Sequence, residues 1–263
     1  MAYRDYYGSG GGRGYGSVGG SNLPPAVKWL LIANVAIFFV YFFAYRTGYA
    51  GLFTWLGLMP AAVVKVFAVW QLAIYLFVHS PLGFTHVLFN MLTLWMFGKE
   101  LENLWGTKKF LQYYFLCGIG AGIFVVVLNL LFGSDQDMHS RTIGASGAIY
   151  GLLMAFGVLF PEQTVFFWVF PMKAKYFVAI LGAMSFMMTF GDTGGGISHM
   201  AHLGGMAWGY AYLRSRGLQK SVGGVDPVAW LGKTYRTWRQ DRAKKRFQVY
   251  LKKQSGDRDR WVH

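Results

Sequence analysis

The chain has 263 residues, of which 54% are hydrophobic, 19% are aromatic and only 14% are charged. In a typical soluble domain about a quarter of the residues are charged. This composition therefore excludes an ordinary soluble protein and indicates an integral membrane protein. The net charge is +14, and the single cysteine, Cys117, has no partner for an intrachain disulfide.

The chain opens with a segment rich in Gly, Ser and Tyr that ends at a pair of prolines, residues 1–25. Such a composition cannot bury a core, so we expect a flexible region. The segment lacks the short apolar stretch and the small-residue cleavage site of a signal peptide.

Six apolar segments follow, and together they predict an all-α polytopic membrane protein with a six-helix bundle at residues 26–214. They cover about residues 27–45, 84–101, 108–132, 145–160, 174–190 and 197–213. Between the first two, residues 47–83 are rich in Trp and Tyr and poor in charge. This pattern predicts a long interfacial first loop that lies on the membrane, and a seventh span is the alternative.

The remaining residues, 215–263, form a basic tail in which Lys and Arg alternate with aromatic residues. With six spans, 22 of the 25 Lys and Arg residues lie on the side of the two termini, which predicts that both termini are cytoplasmic. A basic segment after a last span is typical of attraction to anionic lipid, so we expect lipid and not nucleic acid as the partner of the tail.

The fourth apolar segment is too short to cross a bilayer. From Ser146 to Pro161 it contains about fifteen residues, which span about 22 Å of a hydrocarbon core of about 30 Å. Its start must therefore lie below the non-cytoplasmic face, and the preceding residues 133–144 must dip inward without helical structure. Irregular backbone at that depth is tolerated where protein shields it or where it lines a wet cavity, so water is expected near Ser146.

A hydroxyl and an imidazole are expected to meet at this depth. Ser146 begins a helix, where unpaired N–H groups favour developing negative charge. His202 shares a helical stripe with Gly205 and Gly209, and small residues on the fourth helix offer a matching surface for close packing. The hydroxyl of Ser146 could then reach His202 as its general base, although tight packing and a structural histidine are simpler explanations of the two residues.

His86 and Asn90 stand at i and i+4 on the second helix and face the same way. Their side chains could donate hydrogen bonds to an oxyanion, together with the Ser146 N–H. An interhelical hydrogen bond is the alternative for Asn90. A metal site of His86, His199 and His202 is the alternative, but the six segments contain no carboxylate apart from Glu100 at the end of the second, and no His-Glu-X-X-His pattern occurs.

These motifs resemble one family, the rhomboid intramembrane serine proteases. The resemblance covers roughly residues 27–213 and rests on His86-X3-Asn90, on Gly144-Ala145-Ser146-Gly147 and on Ala201-His202-X2-Gly205, in the order of the family. It implies hydrolysis of transmembrane protein substrates near the non-cytoplasmic face, without a metal or organic cofactor, in a multi-pass protein of the bacterial inner membrane.

The resemblance also implies roles for single residues. Ser146 would be the nucleophile and His202 the base, while His86, Asn90 and the Ser146 N–H would form the oxyanion hole. Tyr150 matches an aromatic residue that packs on the catalytic imidazole, and Gly205 matches a glycine at the contact of the catalytic helices. His199 stays outside the dyad.

Two positions depart from the family pattern. Trp70-Gln71 stands where many members have Trp-Arg, and Glu102-Asn103-Leu104 keeps the acid of a Glu-X-Arg motif but not its base. In the family both affect the scaffold or a loop, so they bear on efficiency more than on chemistry. The alternative function is that of a non-catalytic rhomboid-like protein that binds or escorts membrane proteins.

Overall fold

The computed structural model describes residues 23–167, 169–191, 196–216 and 227–258. The predicted flexible segment falls almost entirely on residues 1–22, which lie outside the described part, and so does the beginning of the basic tail at 217–226.

Long helices dominate the described residues. We number them α1 to α7 in chain order; α2 is continuous from residue 84 to residue 105 and contains a π-helical turn at Leu94–Gly98. The bounds are Pro25–Arg46 for α1, 84–105 for α2, Thr107–Phe132 for α3, Ser146–Leu159 for α4, Ala174–Gly191 for α5, Gly196–Ser215 for α6 and Pro227–Arg258 for α7.

The helices α1 to α6 coincide with the six predicted segments to within about one turn. By length and composition, two helices of the described residues could cross a bilayer, Pro25–Arg46 and Thr107–Phe132. Two more, Ser146–Leu159 and Ala174–Phe190, are apolar but shorter. The structure thus confirms the helices, while a bundle of six membrane-spanning helices stays a prediction.

The first loop, residues 47–83, contains only short helical pieces, the longest of them the six residues Pro60–Lys65. A bilayer crossing needs about 20 residues, so a seventh helical span is excluded in this loop. The buried Gln71 holds the loop together: its side chain accepts from the N–H of Met59 at 3.0 Å and donates to the carbonyl of Trp55 at 3.1 Å. Gln71 thereby satisfies two backbone groups of the loop.

Two connections differ from the sequence prediction. After α4, an antiparallel hairpin pairs β1 (Thr164–Phe167) with β2 (Phe170–Lys173), so the described chain is not entirely α-helical. Pro161 stops the preceding helix and the following aromatic and β-branched residues favour strands. Before α4, the stretch predicted to be non-helical contains a short helix, Asp135–His139, because Ser134 and Asp137 form a capping box.

The helix α4 lies at the centre of the fold. It packs against α2, α3, α5 and α6, and eleven of its fourteen residues are buried. A buried tyrosine links α4 to α3: the hydroxyl of Tyr113 on α3 donates to the carbonyl of Gly151 on α4 at 2.8 Å. The first residue of α4, Ser146, therefore belongs to a helix that is packed on most sides by other helices.

Candidate active site

Five of the six predicted site residues line one cavity of about 750 Å³. Ser146 and Tyr150 come from α4, His86 and Asn90 from α2, and His202 from α6. The other lining residues are mostly apolar side chains of α2, α4 and α5, and none of the residues that line this cavity is an Asp or a Glu. The site therefore combines a hydroxyl, two imidazoles and an amide without a carboxylate.

Ser146 and His202 are in hydrogen-bond contact. Ser146 is the first residue of α4, and its Oγ lies 2.9 Å from Nε2 of His202. The ring of Tyr150 stacks on the imidazole with a centroid distance of 4.0 Å and an interplanar angle of 4°. Stacking and the hydrogen bond together restrict rotation of the imidazole and keep Nε2 directed at the hydroxyl.

Glycines bring the two helices into this contact. A Cβ added to Gly205 on α6 would overlap the carbonyl oxygen of Gly147 on α4, and a Cβ added to Gly209 would lie 3.3 Å from the Cα of Gly151. The backbones of α4 and α6 therefore touch directly, as the small-residue pattern predicts. Gly205 does not line the cavity, but the distance between Ser146 and His202 depends on the approach that it permits.

His86 and Asn90 both reach the N-terminal end of α4. Gly144, with a φ of +115°, has no Cβ, and a Cβ there would lie 2.9 Å from Cε1 of His86 and 3.8 Å from Nδ2 of Asn90. Asn90 is 7% exposed, and its Nδ2 has no hydrogen-bond partner in the described part of the protein. A buried donor without a partner is uncommon, and it leaves the amide free for a ligand.

Two residues near the site were missed at the sequence level. Ser185 on α5 is 2% exposed and its Oγ lies 3.4 Å from Nδ1 of His202. His79, in the loop before α2, is buried with its ring centroid 5.2 Å from that of His86. The signal for Ser185 was its polarity within an otherwise apolar segment, whereas His79 carried no pattern that would place it beside a second histidine.

The environment of His79 keeps it uncharged. Burial, followed by the neighbouring His86, lowers the pKa of His79 to about 4. At neutral pH a histidine with this pKa is deprotonated, so it contacts His86 as a neutral ring and adds no positive charge to the site.

The histidines do not form a metal site in the structure. His199 and His202 are one turn apart on α6 with ring centroids 5.6 Å apart. Across the described residues, no three His, Cys, Asp or Glu side chains come together in a metal-binding group. His86, His199 and His202 therefore do not act together as ligands in this arrangement.

Comparison with known proteins places the chain among rhomboid sequences. The sequence model of the Rhomboid domain matches residues 66–216, more than half of the chain. "Rhomboid protein 1, mitochondrial" of Saccharomyces cerevisiae is 31% identical over 52% of this chain and 40% of its own length. The "Putative rhomboid protease YdcA" of Bacillus subtilis is 33% identical over 54% of this chain and 64% of its own length. The "Rhomboid protease AarA" of Providencia stuartii is 30% identical over 52% of each chain.

The aligned part thus spans 40 to 64% of the length of these three relatives. The region matched by the Rhomboid domain model contains every residue of the cavity described above, because it begins before α2 and ends after α6.

Proposed function

Because this chain belongs to the rhomboid family, and is therefore a membrane protein, we propose that it is a serine endopeptidase. Its substrates are transmembrane proteins, which it cleaves inside the membrane near the non-cytoplasmic face. Two relatives are themselves named rhomboid proteases, which supports the protease assignment.

The observation that carries this proposal is the distance of 2.9 Å between Oγ of Ser146 and Nε2 of His202. A serine hydroxyl is a weak nucleophile at neutral pH, and it needs a base within hydrogen-bond reach to remove its proton. Among the described residues, His202 is the one base in hydrogen-bond contact with this hydroxyl. The ring of Tyr150 stacks on the imidazole of His202 and restricts its rotation.

In the proposed reaction, Ser146 Oγ attacks the carbonyl carbon of the scissile peptide while Nε2 of His202 accepts the hydroxyl proton. The tetrahedral intermediate collapses as the C–N bond breaks, and His202 returns the proton to the leaving amine. A water in the cavity then attacks the acyl-enzyme with His202 again acting as base. No metal or organic cofactor takes part.

The negative charge of the tetrahedral intermediate is stabilised by three donors in this proposal. They are the N–H of Ser146, at the positive end of α4, and the side chains of His86 and Asn90. The unpartnered Nδ2 of Asn90 supports this role, because a donor that is already unpaired in the resting protein needs no rearrangement to bind an oxyanion.

Substrate reaches the site from the side, between α2 and α5. Apolar side chains of both helices line the cavity, among them Phe89, Met96, Phe177 and Leu181. An apolar wall suits a transmembrane segment that enters from lipid. Residues that weaken its helix would expose the scissile carbonyl, since an intact helix keeps its carbonyls hydrogen-bonded.

We further propose that α1 to α6 span the membrane with both termini in the cytoplasm, in the inner membrane of a bacterium. The fourteen residues of α4 measure about 21 Å, so Ser146 would lie below the opposite surface. The helix α7 is basic, and its side chains at residues 233–248 are exposed, which supports contact with anionic headgroups.

The experiment that tests the proposed function uses the full chain, purified in detergent, with a model transmembrane substrate. Wild-type protein should cleave it, and both Ser146→Ala and His202→Ala should reduce cleavage to background while the variants stay folded. A fluorophosphonate probe should label the wild type and not Ser146→Ala. Cleavage that survives Ser146→Ala contradicts the proposal, and a folded wild type that neither cleaves nor labels favours a binding or escort function.

A further inference from the structure

The imidazole of His202 has two ring nitrogens, and the proposed dyad accounts for only one. For Nε2 to accept the proton of Ser146, the neutral ring must carry its own proton on Nδ1. A donor N–H on a buried ring needs an acceptor, and in Ser-His-Asp proteases a carboxylate fills this role. No Asp or Glu lines the cavity here, so the acceptor must be another group.

In the described structure, the hydroxyl of Ser185 lies within hydrogen-bond distance of Nδ1. Its Oγ lies 3.4 Å from Nδ1, on the side of the ring opposite Ser146. Ser185 is 2% exposed, so no bulk water competes for this position. The ring is thus held at Nε2 by α4, at Nδ1 by α5 and on one face by Tyr150.

The chemistry of a hydroxyl permits the acceptor role. A hydroxyl has one proton and two lone pairs, so Ser185 can accept from Nδ1 and still donate its own proton to another group. The ring that it contacts is also held on one face by Tyr150, which limits the directions in which Nδ1 can turn.

On the basis of the proposed function, we propose that Ser185 is a positioning residue that makes the dyad a triad of serine, histidine and serine. Its Oγ accepts from Nδ1–H and thereby selects the tautomer in which Nε2 is a base. When His202 takes the proton of Ser146, the ring becomes positively charged and the hydrogen bond from Nδ1 to Ser185 shortens, as charge-assisted bonds do. The distance of 3.4 Å in the resting protein is in keeping with catalytic bonds that tighten on the way to the transition state.

This role affects turnover and not substrate binding. Removal of the acceptor should lower kcat with little change in KM, because the bond strengthens only as charge develops on the ring. A neutral hydroxyl stabilises an imidazolium less than a carboxylate does, so we expect a loss of about tenfold, well below the roughly 10⁴-fold loss typical when a carboxylate is replaced.

The test compares three variants of the full chain in detergent with two readouts. Ser185→Ala removes the acceptor and Ser185→Thr keeps a hydroxyl. Thr189→Val is the matched control: it lies one turn further on α5, and its hydroxyl donates to the backbone carbonyl of Ser185 at 2.9 Å and not to the imidazole. The readouts are kcat and KM with a model transmembrane substrate, and the rate of inactivation by a fluorophosphonate.

We expect Ser185→Ala to lower both kcat and the inactivation rate about tenfold with KM within twofold of wild type. Ser185→Thr should recover most of the loss, and Thr189→Val should resemble wild type. The fluorophosphonate is a small molecule that does not need the entry route of a transmembrane segment, so its rate reports activation of Ser146 alone.

Several results would overturn the inference. They are wild-type rates in Ser185→Ala, a loss of substrate cleavage with normal fluorophosphonate inactivation, an equal loss in Thr189→Val, or no recovery in a folded Ser185→Thr. Each assigns Ser185 to packing or substrate entry. Cleavage by Ser146→Ala is a different result, since it would remove the proposed function itself.

Discussion

The proposed mechanism relies on a side-chain donor that the described structure leaves without a hydrogen-bond partner. Asn90 is such a residue, because it lines the cavity of Ser146 and its buried Nδ2 has no partner among the described residues. We expect Asn90→Ala to lower kcat about 100-fold with a small effect on KM, since the donor is used only when the oxyanion forms. Steady-state kinetics with a model transmembrane substrate measure both values.

Asn129 provides the control for this prediction. It is also a buried asparagine in an apolar helix, but its Nδ2 donates to the carbonyl of Val125 at 2.9 Å within α3. Asn129→Ala should therefore leave kcat of the folded protein near wild type. An equal fall of kcat in both variants would assign Asn90 to general packing and remove it from the oxyanion hole.

The absence of carboxylates from the cavity leads to a prediction about metals. In the proposed mechanism His202 is the base and His86 a donor, and neither role needs a metal ion. The described residues contain no group of three metal ligands. Prolonged treatment with EDTA or 1,10-phenanthroline should leave the rate of cleavage unchanged. Inhibition that added zinc reverses would restore the metal alternative of His86, His199 and His202.

At the scale of elements, the contact between α4 and α6 decides whether the dyad can form. A Cβ on Gly205 would overlap the carbonyl oxygen of Gly147, and a backbone atom cannot rotate away as a side chain can. We expect Gly205→Ala to separate the helices, to lower the free energy of unfolding by about 3 kcal/mol and to reduce activity at least tenfold. Unfolding in detergent and cleavage rates are the measurements.

Gly182 on α5 is the matched control for Gly205. The nearest atom to a Cβ at Gly182 is Cε of Met206 at 3.2 Å, the flexible end of a side chain that can move aside. Gly182→Ala should therefore be tolerated. If Gly205→Ala proved as stable and as active as Gly182→Ala, the direct backbone contact would not be what holds Ser146 and His202 together.

The hydrogen bonds at the N-terminal end of α1 lead to a second prediction at this scale. The carboxylate of Glu102, near the end of α2, accepts from the N–H groups of Ala26 and Val27 at 2.9 and 2.8 Å and from the hydroxyl of Thr107 at 2.7 Å. It thus joins α1, α2 and α3, and its negative charge faces the positive end of α1. These contacts give the acid at this position a structural role that does not depend on a base at position 104.

We expect Glu102→Gln to lower the free energy of unfolding by about 2 kcal/mol, because a neutral amide accepts fewer and weaker hydrogen bonds than a buried carboxylate. Glu100→Gln, two residues earlier and exposed, should change it by less than about 0.5 kcal/mol. Equal effects of the two substitutions in thermal unfolding would show that Glu102 is not a cap of α1.

The sequence allowed the helices to be predicted well because hydropathy and helix length are local properties. The start of α4 at Ser146 and the glycine stripe with Gly205 followed from the same local patterns. Ser185 and the unpaired amide of Asn90 could not be predicted, because both depend on which side chains of distant helices meet. The hairpin at residues 164–173 was missed because its residues form a short apolar run between two predicted helices. Hydropathy alone does not distinguish such a run from a helical segment.

For the whole molecule, the distribution of charge sets the orientation in the membrane. Arg46, Lys65 and Arg141 are the only Lys and Arg residues that six spans place on the side of the first loop, whereas the chain after residue 213 carries fourteen. Basic segments are retained in the cytoplasm, so the first loop and the N-terminal end of α4 should face away from it. The hairpin, with Lys173 and Lys175 paired to Glu162, should lie on the cytoplasmic side.

Cysteine labelling in intact bacterial cells tests this orientation. The native Cys117 is fully buried, so it gives no background. A cysteine at Gly51, where a Cβ meets nothing within 4 Å, should react with a membrane-impermeant maleimide from outside the cytoplasmic membrane. A cysteine at the exposed Thr237 in α7 should react only after that membrane is opened. Labelling of Thr237→Cys in sealed cells would reverse the orientation, and with it the assignment of cleavage to the non-cytoplasmic face.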